Sequence, residues 1–226
     1  MQSQSKGPIF QVLEPILGIF AFFITLTFVA YGISLAPINA GSISVLVVEK
    51  TSIGINILGF LALLVGVLWT IAIVRGKNRG LIVRKWAIIV GMLVAFALLR
   101  LTAKVHGGEM DTAGPAQLTA MSVAFVGFWL GFYGKEENLV GQAMLVFGTL
   151  TMIYWCLDLT AMPSVISSGA PFTSFAGGGL ADSDFVYPFS AAIGYVVAKV
   201  ALKALRFGLQ KLDSAILARQ SRRGVL

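Results

Sequence analysis

SIGINILGFLALLVGVLWTIAIVRGKNRGLIVRKWAIIVGMLVAFALLRLTA, residues 52–103, consists of two apolar runs joined by a basic linker. The first run extends from about Ser52 to Val74 and the second from about Trp86 to Ala103. A helix rises about 1.5 Å per residue and a bilayer's hydrocarbon core is about 30 Å thick, so about 20 apolar residues suffice to cross it. Strands of a membrane barrel would instead alternate polar and apolar residues over about ten positions, and neither run does. The linker RGKNRGLIVRK, residues 75–85, holds Arg75, Lys77, Arg79, Arg84 and Lys85 and no acid. Basic loops remain on the cytoplasmic side of a membrane. The stretch therefore predicts two spanning helices joined by a cytoplasmic turn.

Four further apolar segments lie outward from this pair: about Ile9–Leu35, Ala116–Tyr133, Leu139–Met162 and Phe185–Leu205. The expected fold class is all-α, a polytopic bundle of six transmembrane helices with a C-terminal basic amphipathic helix. Residues 1–205 form the bundle and 206–226 the tail. Alternating sides from the 75–85 turn puts both termini in the cytoplasm. Fourteen of the chain's 17 Lys and Arg then lie inside, leaving Lys50, Arg100 and Lys104 outside. The outer loops hold Glu49, Glu109, Asp111, Asp182 and Asp184. A cleaved signal peptide competes for the first segment, with Lys6 before it and the small residues of SLAPINA (34–40) after it. The apolar run is longer than the usual core of about 7–15 residues, so a retained helix is expected.

Composition agrees with burial in lipid. The 226 residues are 57% hydrophobic and 12% charged, against about 25% charged in a typical soluble domain. The net charge of +7 sits in loops between apolar runs, so it argues for membrane orientation and against nucleic acid. Cys156 is the only cysteine and His106 the only histidine. A structural zinc site, an iron–sulfur cluster and a bis-histidine haem each need more such ligands. No Gly-rich loop leads into a GK[ST] phosphate site, and no spacing ties His106 to the serines of ISSG (166–169) as base and nucleophile. No catalytic residue, metal ligand or cofactor is expected.

The remaining signals concern packing and charge. Asp158, in WCLDLTAMP (155–163), lies towards the outer end of the fifth span, and Arg100 lies in the third. A charge at mid-membrane costs on the order of 3 kcal/mol on insertion scales and less near the interface. An Arg100–Asp158 ion pair would reduce that cost, and Glu14 with Lys199 forms a second candidate pair by depth. Gly127 and Gly131 make a GxxxG stripe extended by Ala120 and Ala124, the pattern of close helix contact. Lys199, Lys203, Arg206 and Gln210 recur at helical spacing, and Lys211 follows, so the tail is expected to lie against anionic headgroups. GSISVLVVEK (41–50) is expected at the interface or as an extension of the second helix. The Ser-, Gly- and Pro-rich stretch 163–184 is expected to be loop.

Together these features predict an integral membrane subunit of a larger membrane protein assembly, structural or scaffolding rather than catalytic. Its expected partners are the lipid bilayer, other membrane subunits and anionic lipid headgroups. The alternative is a small-solute or ion transporter or channel component, based on six spans, paired intramembrane charges and Gly-rich helices.

Overall fold

The computed structural model describes residues 16–27, 43–48, 51–55, 57–75, 80–106, 109–112, 114–135, 137–168, 172–175 and 183–222. Six helices carry most of them: α1 (Ile16–Thr27), α2 (Ile57–Arg75), α3 (Lys85–Thr102), α4 (Gly114–Gly131), α5 (Leu139–Ser167) and α6 (Ser183–Arg222). Among the described residues, α3, α5 and the Asp184–Gly208 part of α6 are long and apolar enough to cross a membrane. Ile16–Thr27 and the Leu63–Ala72 part of α2 are shorter apolar helical stretches. The structure thus supports three of the six expected spans by length and composition. α4 is not among them, and its first two turns carry Pro115, Gln117 and Thr119. Much of the expected first span lies outside the described residues.

The alternative that 41–50 extends the second helix is corrected. Ile43–Val48 is strand β1 and Thr51–Ile55 is β2, paired antiparallel with Val48 opposite Thr51. The second helix therefore begins at Ile57 and not near Ser52. The reason lies in residue type: ISVLVV and TSIGI are rich in Val, Ile and Thr, whose branched side chains suit a pleated strand. Two further short strands, β3 (Lys104–His106) and β4 (Glu109–Asp111), pair antiparallel between α3 and α4.

The stretch 163–184 also departs from expectation. α5 runs through Pro163 to Ser167. The proline lies in its final turns, where it removes one N–H from the ladder and leaves the Leu159 carbonyl without its helical donor, yet the helix continues past it. Phe172–Phe175 forms β5 and pairs parallel with Ser52–Ile55, giving the sheet order β1-β2-β5. α6 then begins at Ser183 and continues without a break for 40 residues, about 60 Å.

Two kinds of contact hold the helices together. α3 and α4 meet through small residues. A Cβ on Gly91 would lie 3.1 Å from Gly127 Cα, and one on Gly127 would lie 2.8 Å from the Ala87 carbonyl oxygen. Only glycine permits backbones to approach this closely. The Gly131 carbonyl then accepts from Val83 N at 2.8 Å and Arg84 N at 3.1 Å, which ties the end of α4 to the start of α3.

α5 is the hub, packed against α2, α3 and α6. On α2, Gly66 and Thr70 face Phe147, Gly148 and Thr151. Thr70 Oγ1 donates to the Gly66 carbonyl at 3.0 Å, and Thr151 Oγ1 to the Phe147 carbonyl at 2.8 Å. Each buried hydroxyl is satisfied on its own helix, so the contact leaves neither one unpaired. α1 lies over α4 and α6: Phe22 stacks on Phe125 with ring centroids 4.0 Å apart, and Gly18 lies against Trp129 and Leu202.

Candidate functional site

Beside the α2–α5 contact the helices separate. Leu61 and Val65 of α2, Ala143, Met144 and Phe147 of α5, and Phe185, Phe189, Ala192, Ile193 and Val196 of α6 line a groove of about 540 Å³. The groove exists because side-chain sizes are mismatched. Ala143 and Ala192 are too small to fill the space between α5 and α6. Phe185 and Phe189 stack on each other at 5.4 Å and meet Phe147 edge-on, so the rings form a wall and do not plug the gap. Leu61 and Val65 are about half exposed along the opposite wall.

The volume falls within the range of about 300–1,000 Å³ usual for small-molecule sites. Such sites normally add a few polar groups that orient the ligand, whereas all ten residues lining this groove are apolar. Hydrocarbon suits such a surface, and a hydrated solute would lose water without gaining a hydrogen bond.

At one end of the groove stands a polar strut. Tyr195 is fully buried, and its hydroxyl donates to Gln142 Oε1 at 2.8 Å. Gln142 Nε2 in turn donates to the Lys135 carbonyl at 2.9 Å and the Glu137 carbonyl at 3.2 Å. The amide thereby satisfies two carbonyls of the α4–α5 turn while anchoring α6. That turn is shaped by Gly134 at φ 73° and Asn138 at φ 56°. Both lie in the left-handed region that Gly and Asn tolerate best. Asn138 also caps α5, its Oδ1 accepting from Gly141 N at 3.0 Å.

Basic residues follow the strut along α6. The Lys199 ammonium lies 4.3 Å from the Trp129 ring centroid and 5.6 Å from that of Tyr195. Lys203 is exposed and Arg206 half-buried. Lys211 lies 4.6 Å over the Phe207 ring.

The other residues singled out by the sequence fall as follows. Arg100 is in the last turn of α3, half-buried, and Asp158 is half-buried on α5, a helix that packs against α3. Glu14 lies outside the described residues. Gly127 and Gly131 are buried on the face of α4 that meets α3.

Several residues went unnoticed in the sequence. Ala87, Gly91 and Ala95 repeat every four positions on α3 and are buried, and Ala87 and Gly91 face the α4 stripe at Gly127; that spacing was available as a signal. Gln142, a lone amide near the start of an apolar run, was another. Tyr195 carried no signal distinguishing it from the interfacial aromatics. Comparison with protein-family models, curated proteins and solved structures returns no match to this chain.

Proposed function

We propose that the chain is a non-catalytic subunit of a larger membrane assembly, with α6 as its arm towards a partner. The carrying observation is the length of that helix. Its apolar membrane-length part ends at Gly208, yet the helix continues to Arg222. A helical segment of fewer than about 12–15 residues is marginal in water by itself, and tertiary packing usually sustains it. Among the described residues, the helices that pack on α6 are α1, α2, α4 and α5, all of them apolar bundle helices. The extension carries Lys211, Arg219 and Arg222 and offers a partner subunit a basic helical segment, and the all-apolar groove favours a packing role over solute handling.

The test is mild-detergent isolation of the full chain and of a chain ending at Gly208. The expected result is that the full chain carries other membrane proteins in fixed ratio. The shortened chain should still insert but lose them. Isolation of the full chain alone, as a monomer, would overturn the proposal.

A transporter role is the second possibility, favoured by the half-buried Asp158 on the membrane-length helix α5. Asp158→Asn in proteoliposomes separates the two. Lower thermal stability with no change in ion flux fits an ion pair with Arg100, whereas lost flux in a protein of unchanged stability favours transport.

A further inference from the structure

We infer that the groove between α2, α5 and α6 seats one anionic phospholipid, an acyl chain along α6 and the phosphate at Lys203. This assignment does not depend on the subunit proposal, since it uses no residue beyond Gly208.

Three observations point to this occupant. The first is length. From Phe185 to Val196 the groove follows α6 for about 16 Å at 1.5 Å per residue, half of a hydrocarbon core of about 30 Å. It therefore matches the chain of a lipid in one leaflet. The second is chemistry: every lining residue is apolar, so the groove can hold hydrocarbon but cannot orient a polar ligand.

The third is the sign of the charge at each end: Asp184 precedes Phe185 at one end, whereas the other end carries cations. α5 and α6 run antiparallel, since Gln142 meets Tyr195 and Phe147 meets Phe189. α2 and α5 also run antiparallel, since Phe60 stacks on Trp155 and Gly66 faces Phe147. α2 and α6 therefore point the same way, and each of these two walls leads to an exposed cation. Lys203 follows Val196 by two turns on the same face, and Arg75 ends α2. The adjoining α4–α5 turn carries Lys135 with Glu136 and Glu137, a net charge of −1 in the sequence, so the cations at this end come from α2 and α6. A lysine near a membrane surface favours anionic lipid by about fivefold, and its flexible stem lets the ammonium reach a phosphate. A zwitterionic lipid would fill the groove but gain less from the two cations.

The experiment uses the full chain in detergent, with dioleoyl phosphatidylglycerol or dioleoyl phosphatidylcholine added and bound lipid counted by native mass spectrometry. The expected result is one phosphatidylglycerol retained per chain, about fivefold more readily than phosphatidylcholine. Lys203→Gln should bring the two lipids close to parity. Val65→Phe adds bulk at an exposed groove position and should lower retention of both lipids severalfold. Equal retention of both lipids by the unmodified chain would overturn the assignment. So would undiminished phosphatidylglycerol binding in both variants. A lipid-free dimer that Val65→Phe dissociates would also overturn it and assign the groove to a second copy of the chain.

Discussion

The α3–α4 seam and the junction that α5 and α6 form at the groove both use small residues, yet one is closed and the other open; α2 meets α5 beside the groove through the close Gly66–Gly148 contact. At the seam, small residues stand opposite small residues: Ala87 and Gly91 on one helix, Gly127 on the other. The backbones approach until atoms touch. At the junction, alanines on α5 and α6 stand beside stacked phenylalanines, and the rings hold the helices apart. In lipid no hydrophobic force draws helices together, so fit alone decides whether a gap closes. Matched sizes close it, and mismatched sizes leave a groove.

The largest expected effect comes from breaking the seam. Gly127→Leu places a side chain where its first carbon already lies 2.8 Å from the Ala87 carbonyl oxygen. That atom belongs to backbone and cannot swing aside. A loss of about 3 kcal/mol, the upper end of ordinary overpacking, should appear as a marked fall in unfolding temperature by circular dichroism. A variant as stable as the parent would mean the seam is looser than described.

Next comes the strut beside the groove. Tyr195→Phe removes the hydroxyl and leaves the buried Gln142 oxygen without its donor. About 2 kcal/mol is expected, the usual penalty for a stranded buried acceptor. Adding Gln142→Leu should not restore stability, because that amide also serves the Lys135 and Glu137 carbonyls. Full recovery in the double variant would show that the turn does not depend on the amide.

Lys199→Met should cost about 1 kcal/mol, within the range for a cation over an aromatic face. Tryptophan emission is the appropriate probe, because Trp129 lies 4.3 Å away. The smallest effect belongs to the open side. Val65→Phe adds bulk to a half-exposed wall, and stability should stay within about 0.5 kcal/mol of the parent. The difference between Gly127→Leu and Val65→Phe sets tight against loose packing directly. Similar losses at both sites would remove the distinction between the two regions.

Much of the helical architecture was legible in the sequence, because an uninterrupted apolar run carries its own signature. The α3 and α5 stretches were readable in this way. The strands were not, because hydropathy treats ISVLVV as one more greasy segment; only its branched side chains distinguish it. β5 was harder still. FTSF sits among Gly, Ser and Pro, and its partner lies at Ser52–Ile55, so nothing local announces the pairing. The groove was illegible for a related reason. It depends on which helices are neighbours, and that information is carried by contacts between Ala143, Ala192 and three phenylalanines. The α4 glycine stripe was visible, but its surface of approach on α3 was overlooked.

The order of the small sheet sets a timetable for synthesis. β2 leaves the ribosome about 120 residues ahead of β5, which must come alongside it. At roughly 5–20 residues per second, one edge of β2 stays uncovered for roughly 6–24 s while α2 to α5 are being made. Unpaired edges recruit other strands. The nascent chain therefore passes through an interval of exposure that ends only when the segment before its last helix arrives.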